Sequence, residues 1–141
     1  IGSTNTGGIA GESKGTITQC RNDGQVSKLA GVICKTVNLG GLVGKNGEAA
    51  RLSNSKNYGN VNSETDTLVN LGGICGILYN NSIVELCENN GAISGSGKEI
   101  IPNEDTNTNC ASCTSNNGGS ASTDDFGQLN IGIIYGKYQE I

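Results

Sequence analysis

The sequence predicts an all-β fold, a parallel β-helix-like solenoid of about four coils with a repeat of roughly 30–33 residues. Three observations predict it. A Gly-Gly motif recurs along the chain. A second motif, built on Asn-x-Gly, follows each copy in phase. No stretch keeps a helical period of apolar residues for three turns. The composition agrees: of 141 residues, 34% are hydrophobic and 23 are glycine. That is lean for a layered globule but sufficient for thin coils sharing one narrow core. Each unit is too short to bury a core alone, so burial requires stacking. The length suits one domain, and residues 1–141 are read as a single β-solenoid domain.

Residues 1–6 read as an opening strand or a frayed end. The first Gly-Gly motif is Gly7-Gly8-Ile9-Ala10-Gly11, repeated as Gly40-Gly41-Leu42-Val43-Gly44 and Gly72-Gly73-Ile74-Cys75-Gly76. Gly41 follows Gly8 by 33 residues, and Gly73 follows Gly41 by 32. A weaker copy, Asn130-Ile131-Gly132-Ile133-Ile134-Tyr135-Gly136, places Ile133 60 residues after Gly73. That gap predicts a degenerate copy between them, near Glu99-Ile100-Ile101-Pro102.

The second motif starts on an apolar residue (Ile17, Leu52, Val84) and reaches Cys20, Ser55 or Cys87. It continues through Asn22-Asp23-Gly24, Asn57-Tyr58-Gly59 or Asn89-Asn90-Gly91 to Val26, Val61 or Ile93. A fourth copy over 111–118 aligns Thr114 with the small residues, Asn116 with the asparagines and Gly118 with the glycines. The apolar pulses read as two or three short strands per unit, and Asn-x-Gly as turns whose glycine supplies a left-handed conformation. Gly8, Gly11, Gly24, Gly41, Gly44, Gly59, Gly73, Gly76 and Gly91 are thus structural repeat positions, with Asn22, Asn57 and Asn89. Stacked in register, these asparagines predict a side-chain amide ladder, and Asn38, Asn70 and Asn130 a second. Among the connections, 29–34 is apolar enough for a strand and 62–67 is a polar loop. Segment 94–125, dominated by Gly, Ser, Asn, Thr and Asp, reads as a degenerate coil or an insertion loop.

The chemistry is sparse. Without histidine the chain builds no Ser–His or Cys–His pair and no His-ligated metal site, and neither a metal site nor a cofactor is expected. The formal charge of −4 argues against nucleic acid and anionic membrane as partners. No apolar run is long enough to insert into a membrane. Cys20, Ser55, Cys87 and Thr114 read as an inward column of small side chains, with Cys34 and Cys75 as core. Cys20 and Cys87 stand two coils apart, too far for a bridge. Cys110 and Cys113 form a CxxC that suits either a loop disulfide or two free thiols.

No catalytic residue is assigned. Glu85 and Glu88 are close in sequence but face opposite ways in an extended strand, and no charged cleft across several coils is apparent. Tyr58 and Tyr79 are the candidate ligand contacts, with Tyr135 and Tyr138 the remaining tyrosines.

Gly8-Ile9-Ala10-Gly11, Gly41-Leu42-Val43-Gly44 and Gly73-Ile74-Cys75-Gly76, each with its Asn-x-Gly downstream, resemble the GLUG repeat family. The resemblance covers residues 5–93 well and 100–138 poorly. It implies a β-solenoid and an extracellular or cell-surface address. It also implies membership among bacterial adhesin-like proteins and non-catalytic regions of surface peptidases, with no catalytic residues to carry over. The missing initiator Met and signal peptide add the expectation of a fragment joined to the remainder of a larger polypeptide. The expected function is a structural or adhesive repeat segment, a spacer or display scaffold that binds host glycan or an extracellular protein. The alternative is a fragment of a carbohydrate-active β-helix enzyme, a lyase or glycosidase.

Overall fold

The computed structural model describes residues 3–28, 36–63, 68–79, 81–102, 110–111, 113–115, 119–132 and 134–139. Every regular element among them is a β-strand. The apolar connection 29–34 and most of the polar one, 64–67, lie outside the described residues.

The first unit carries β1 (Ser3–Gly7), β2 (Ala10–Ser13), β3 (Thr16–Thr18), β4 (Arg21–Asn22) and β5 (Val26–Lys28). The second carries β6 (Thr36–Gly40), β7 (Val43–Asn46), β8 (Arg51–Ser53), β9 (Lys56–Asn57) and β10 (Val61–Ser63). The third carries β11 (Leu68–Gly72), β12 (Cys75–Tyr79), β13 (Ile83–Glu85), β14 (Glu88–Asn89) and β15 (Ile93–Pro102). Then follow β16 (Cys110–Ala111), β17 (Thr114–Ser115), β18 (Gly119–Gly132) and β19 (Tyr135–Gln139). Each of the first three units therefore holds five strands rather than two or three. The Gly-Gly and Asn-x-Gly motifs each break what reads as one apolar pulse into two strands.

All pairing is parallel and joins equivalent repeat positions. Three sheets have four strands each, in the orders β19-β12-β7-β2, β16-β13-β8-β3 and β17-β14-β9-β4. The remaining strands form a seven-stranded sheet, β1-β6-β11-β18-β15-β10-β5. In it Asn5, Asn38, Asn70 and Asn130 stand in one column, and Val26, Val61 and Ile93 in another. Stacking buries these columns. Leu39, Leu71 and Leu129 join Val26, Val61 and Ile93 in one apolar cluster. Leu42, Leu52, Ile74, Cys75, Leu78, Val84 and Cys87 join Tyr135 in a second.

Both amide ladders are present. Asn22 Nδ2 donates to Asn57 Oδ1 at 2.9 Å, and Asn57 Nδ2 donates to Asn89 Oδ1 at 2.8 Å. Each also donates to the carbonyl, and accepts from the amide, of the glycine two residues on; for Asn57 these bonds are 2.8 and 3.2 Å. In the second ladder Asn38 donates to Asn5, Asn70 to Asn38 and Asn130 to Asn70, all at 2.7 Å. Asn5 extends that column into the stretch expected to be an opening strand or frayed end.

The fourth unit is offset from its expected alignment. Thr114 pairs with Glu88 and Ser115 with Asn89, so Cys113, not Thr114, follows Cys87 in the column. The residue that follows Asn89 in the first ladder is Ser115, whose Oγ accepts from Asn89 Nδ2 at 3.2 Å, and not Asn116. Cys110, not Ala111, stacks on Val84. Nor does a degenerate copy intervene before Gly132: β18 pairs directly with β11, Gly132 on Gly72. Glu99–Pro102 instead lies against the other side of β18, Pro102 opposite Ile131. A proline lacks the N–H that an inner strand must donate, so an outer position suits it. The described residues of 94–125 are largely strand, β15 and β18 running parallel over much of their length.

The left-handed corners also fall elsewhere. Gly24, Gly59 and Gly91 have ordinary φ values; a Cβ on Gly59 would overlap the Gly24 carbonyl, and one on Gly91 the Gly59 carbonyl. Close stacking, not a turn, requires Gly59 and Gly91, whereas a Cβ on Gly24 would meet only Asn22 Oδ1, at 3.6 Å. Four non-glycine residues among those described are left-handed: Ala49 at φ 60°, and Gln19, Asn54 and Leu86 at φ 55°, 50° and 53°, the last three each immediately before the Cys/Ser position. Leu86 is 55% exposed, so its side chain offsets little of the strain. Leu86→Asn, which copies Asn54, is expected to stabilise the protein by about 1 kcal/mol, seen as a raised thermal midpoint.

Candidate ligand cleft

The Gly-Gly motif and the Asn-x-Gly motif meet in the first and second units. A Cβ on Gly8 would lie 2.5 Å from Asn22 Nδ2, and one on Gly41 2.5 Å from Asn57 Cγ. The ladder amides thus seat against bare glycine backbone, which is why the two motifs recur together. The last glycine of each Gly-x-x-Gly serves a similar purpose. A Cβ on Gly76 would lie 2.6 Å from the Gly44 carbonyl oxygen and would also overlap the Leu39 amide.

Beside this scaffold, the short strands β2, β7 and β12 carry polar side chains outward. Glu12 pairs in register with Lys45, and Lys45 with Ile77. Glu12, Lys14, Lys45, Gly47, Glu48 and Tyr79 line a cleft of about 360 Å³. They come from three successive units. Lys45 Nζ lies 3.6 Å from Glu12 Oε1, and Lys14 Nζ lies 3.8 Å from the same oxygen. Lys45 Nζ also stands 5.2 Å from the centre of the Tyr79 ring. Burial pulls the Lys45 ammonium down, but hydrogen bonding and charge from Tyr79 and Glu12 outweigh it and hold the group above the usual lysine value. Lys45 is therefore cationic at neutral pH and holds Glu12 and Tyr79 in place.

The two candidate tyrosines are not brought together. Tyr79 is half-buried and lines the cleft. Tyr58 follows β9 in another sheet, and the Arg21 guanidinium lies 4.1 Å from its ring centre. Arg21 is itself held by Asp23, Nε to Oδ1 at 2.8 Å, so one face of Tyr58 is covered. Tyr135 is core, 2% exposed, and Tyr138 packs against it with ring centres 6.5 Å apart.

Two acids outside the cleft tie neighbouring units together. Glu85 bonds Arg51, and Glu88 Oε2 lies 3.7 Å from Lys56 Nζ. Glu85 and Glu88 fall in different sheets and share no site. Among the described residues, no three His, Cys, Asp or Glu side chains are grouped to hold a metal ion.

Cys20, Cys75, Cys87 and Cys113 are thiols. The side chain of Cys110, the other half of the expected loop disulfide, lies outside the described residues, as does Cys34. Cys113 packs against the cluster that holds Cys75 and Cys87. A hydrogen bond with Cys113 and, second, burial push the Cys87 thiol up. Burial and then the nearby Cys113 do the same to Cys75. Both are protonated at neutral pH.

The cleft was not legible from sequence because none of its residues repeats. Only the 33-residue spacing of Glu12 and Lys45, one full period, signalled that they share a column. Compared with known proteins, the chain matches no family model, no curated protein and no solved structure.

Proposed function

We propose that this chain is a β-solenoid repeat segment of a secreted or cell-surface bacterial protein. On this reading it is a rigid display scaffold that binds a neutral glycan in the Tyr79 cleft. The parallel in-register stacking of equivalent positions supports the solenoid, with about four coils. The GLUG-like motifs support the surface address. The cleft's lining carries the glycan assignment. Glu12 and Glu48 offset Lys14 and Lys45, so the site has no net charge to favour a polyanion. Carboxylates accept from sugar hydroxyls, ammonium groups donate to them, and an aromatic ring covers an apolar sugar face. A volume of about 360 Å³ suits one or two sugar rings.

Glycan-array retention of the purified chain, followed by calorimetry on the best neutral oligosaccharide, tests this. Tyr79→Ala is expected to weaken binding at least about tenfold, the loss of roughly 1.4 kcal/mol, while Tyr58→Ala leaves it unchanged. The reverse pattern would remove the cleft as the binding site. Glu12 and Glu48 place two carboxylates at one cleft, the minimum inventory of a glycosidase. Released reducing ends in the same samples, lost in Glu48→Gln, would make the chain an enzyme instead.

A further inference from the structure

Cys87 and Cys113 occupy consecutive rungs of one column. Each immediately precedes a paired residue, Glu88 opposite Thr114, and the Thr114 amide donates to the Cys87 carbonyl at 3.0 Å. Neighbouring parallel strands lie about 4.8 Å apart. That falls within the roughly 4.4–6.8 Å that separates the Cα atoms of bridged cysteines. The side chains also come together: Cys87 belongs to an apolar cluster against which Cys113 packs, and the proximity of Cys113 raises the Cys87 thiol. Elsewhere in the column the geometry forbids a bridge. Cys20 is separated from Cys87 by Ser55, whose Oγ accepts from the Cys20 amide at 3.1 Å.

We propose that Cys87 and Cys113 form a disulfide that staples the third unit to the fourth when the protein meets a small-molecule disulfide. Cys113 is half-buried and reachable, whereas Cys87 is 1% exposed. The order of steps follows. The Cys113 thiolate attacks the small disulfide, forming a mixed disulfide and expelling one small thiolate. Cys87 gives up its proton and attacks the Cys113 sulfur, expelling the second small thiolate. Two protein thiols lose two electrons and two protons, and one small disulfide becomes two thiols. The bridge closes the loop that contains 94–109, where only Ile100 and Ile101 of sixteen residues are hydrophobic, and constrains that segment in the unfolded chain.

The test is to incubate the folded chain with oxidised glutathione at mildly alkaline pH, block remaining thiols, and map tryptic and Glu-C peptides by mass spectrometry without reduction. The expected product has lost two hydrogens and links a Cys87 peptide, separated from Cys75 by cleavage after Glu85, to the peptide carrying Cys110 and Cys113. The same link is expected in Cys110→Ser and absent in Cys113→Ser. A link from Cys75, a bridge within Cys110–Cys113, or a reaction that stops at glutathionylated Cys113 would each overturn the proposal. The wild-type map decides among these even if a variant fails to fold.

Discussion

Asn57→Ala is expected to cost on the order of 4–8 kcal/mol, the larger part of a typical domain's stability. Asn57 is fully buried and uses its whole amide. Its two N–H groups reach Asn89 Oδ1 and the Gly59 carbonyl, and its oxygen accepts from Asn22 and the Gly59 amide. Truncation breaks two rungs of the ladder, at about 1 kcal/mol each. It also strips both buried Gly59 groups of this partner, at roughly 1–3 kcal/mol each. Asn22→Ala, at the outer rung, is expected to cost distinctly less. Chemical denaturation of the three proteins checks the order. A loss below about 1 kcal/mol for Asn57→Ala would mean that water replaces the amide and that the ladder is dispensable.

Gly76→Ala carries the second large effect, on the order of 3–5 kcal/mol. The added methyl would meet the Gly44 oxygen at 2.6 Å and the Asn38 carbonyl carbon at 2.7 Å. Both are backbone atoms of the unit below, so no side chain can rotate away. Relief requires β12 to move off β6, and with it the contact between two sheets. Gly15→Ala is the control: nothing lies within 4 Å of its Cβ and its φ is ordinary. That change is expected to be neutral or to stabilise by about 0.5 kcal/mol. A thermal midpoint lowered by about 10 °C or more in Gly76→Ala alone is the predicted result. Equal midpoints would mean that the sheets separate at little cost.

The repeat was legible because stacking forces one residue type onto each rung. Asn22, Asn57 and Asn89 recur because an amide that donates upward and accepts from below fits only beside another amide. The five-strand layout was hidden because Gly8, Gly41 and Gly73 interrupt strands without a turn signature of their own. The left-handed corner was hidden because Gln19, Asn54 and Leu86 share no chemistry. The fourth unit slipped because Cys113 and Thr114 are both small enough for the column, and Asn116 made the wrong register look better. Asn5 lacks the signature of Asn38 and Asn70, because threonine, not leucine, follows it. The cleft depends on which residues the stacking brings side by side, and apart from the one-period spacing of Glu12 and Lys45, one-off residues such as Tyr79 leave no periodic trace.

The two asparagine columns point in opposite directions. Asn22, Asn57 and Asn89 donate toward the fourth unit, whereas Asn130, Asn70 and Asn38 donate toward the first. Each column aligns its amide dipoles head to tail, as a helix aligns its peptides. Because the columns are antiparallel, their axial fields oppose one another. Adding further rungs lengthens both columns together, so the stack grows without accumulating polarity at its ends. A single column would carry a dipole moment that grows with every unit; the opposed pair cancels it whatever the height of the stack.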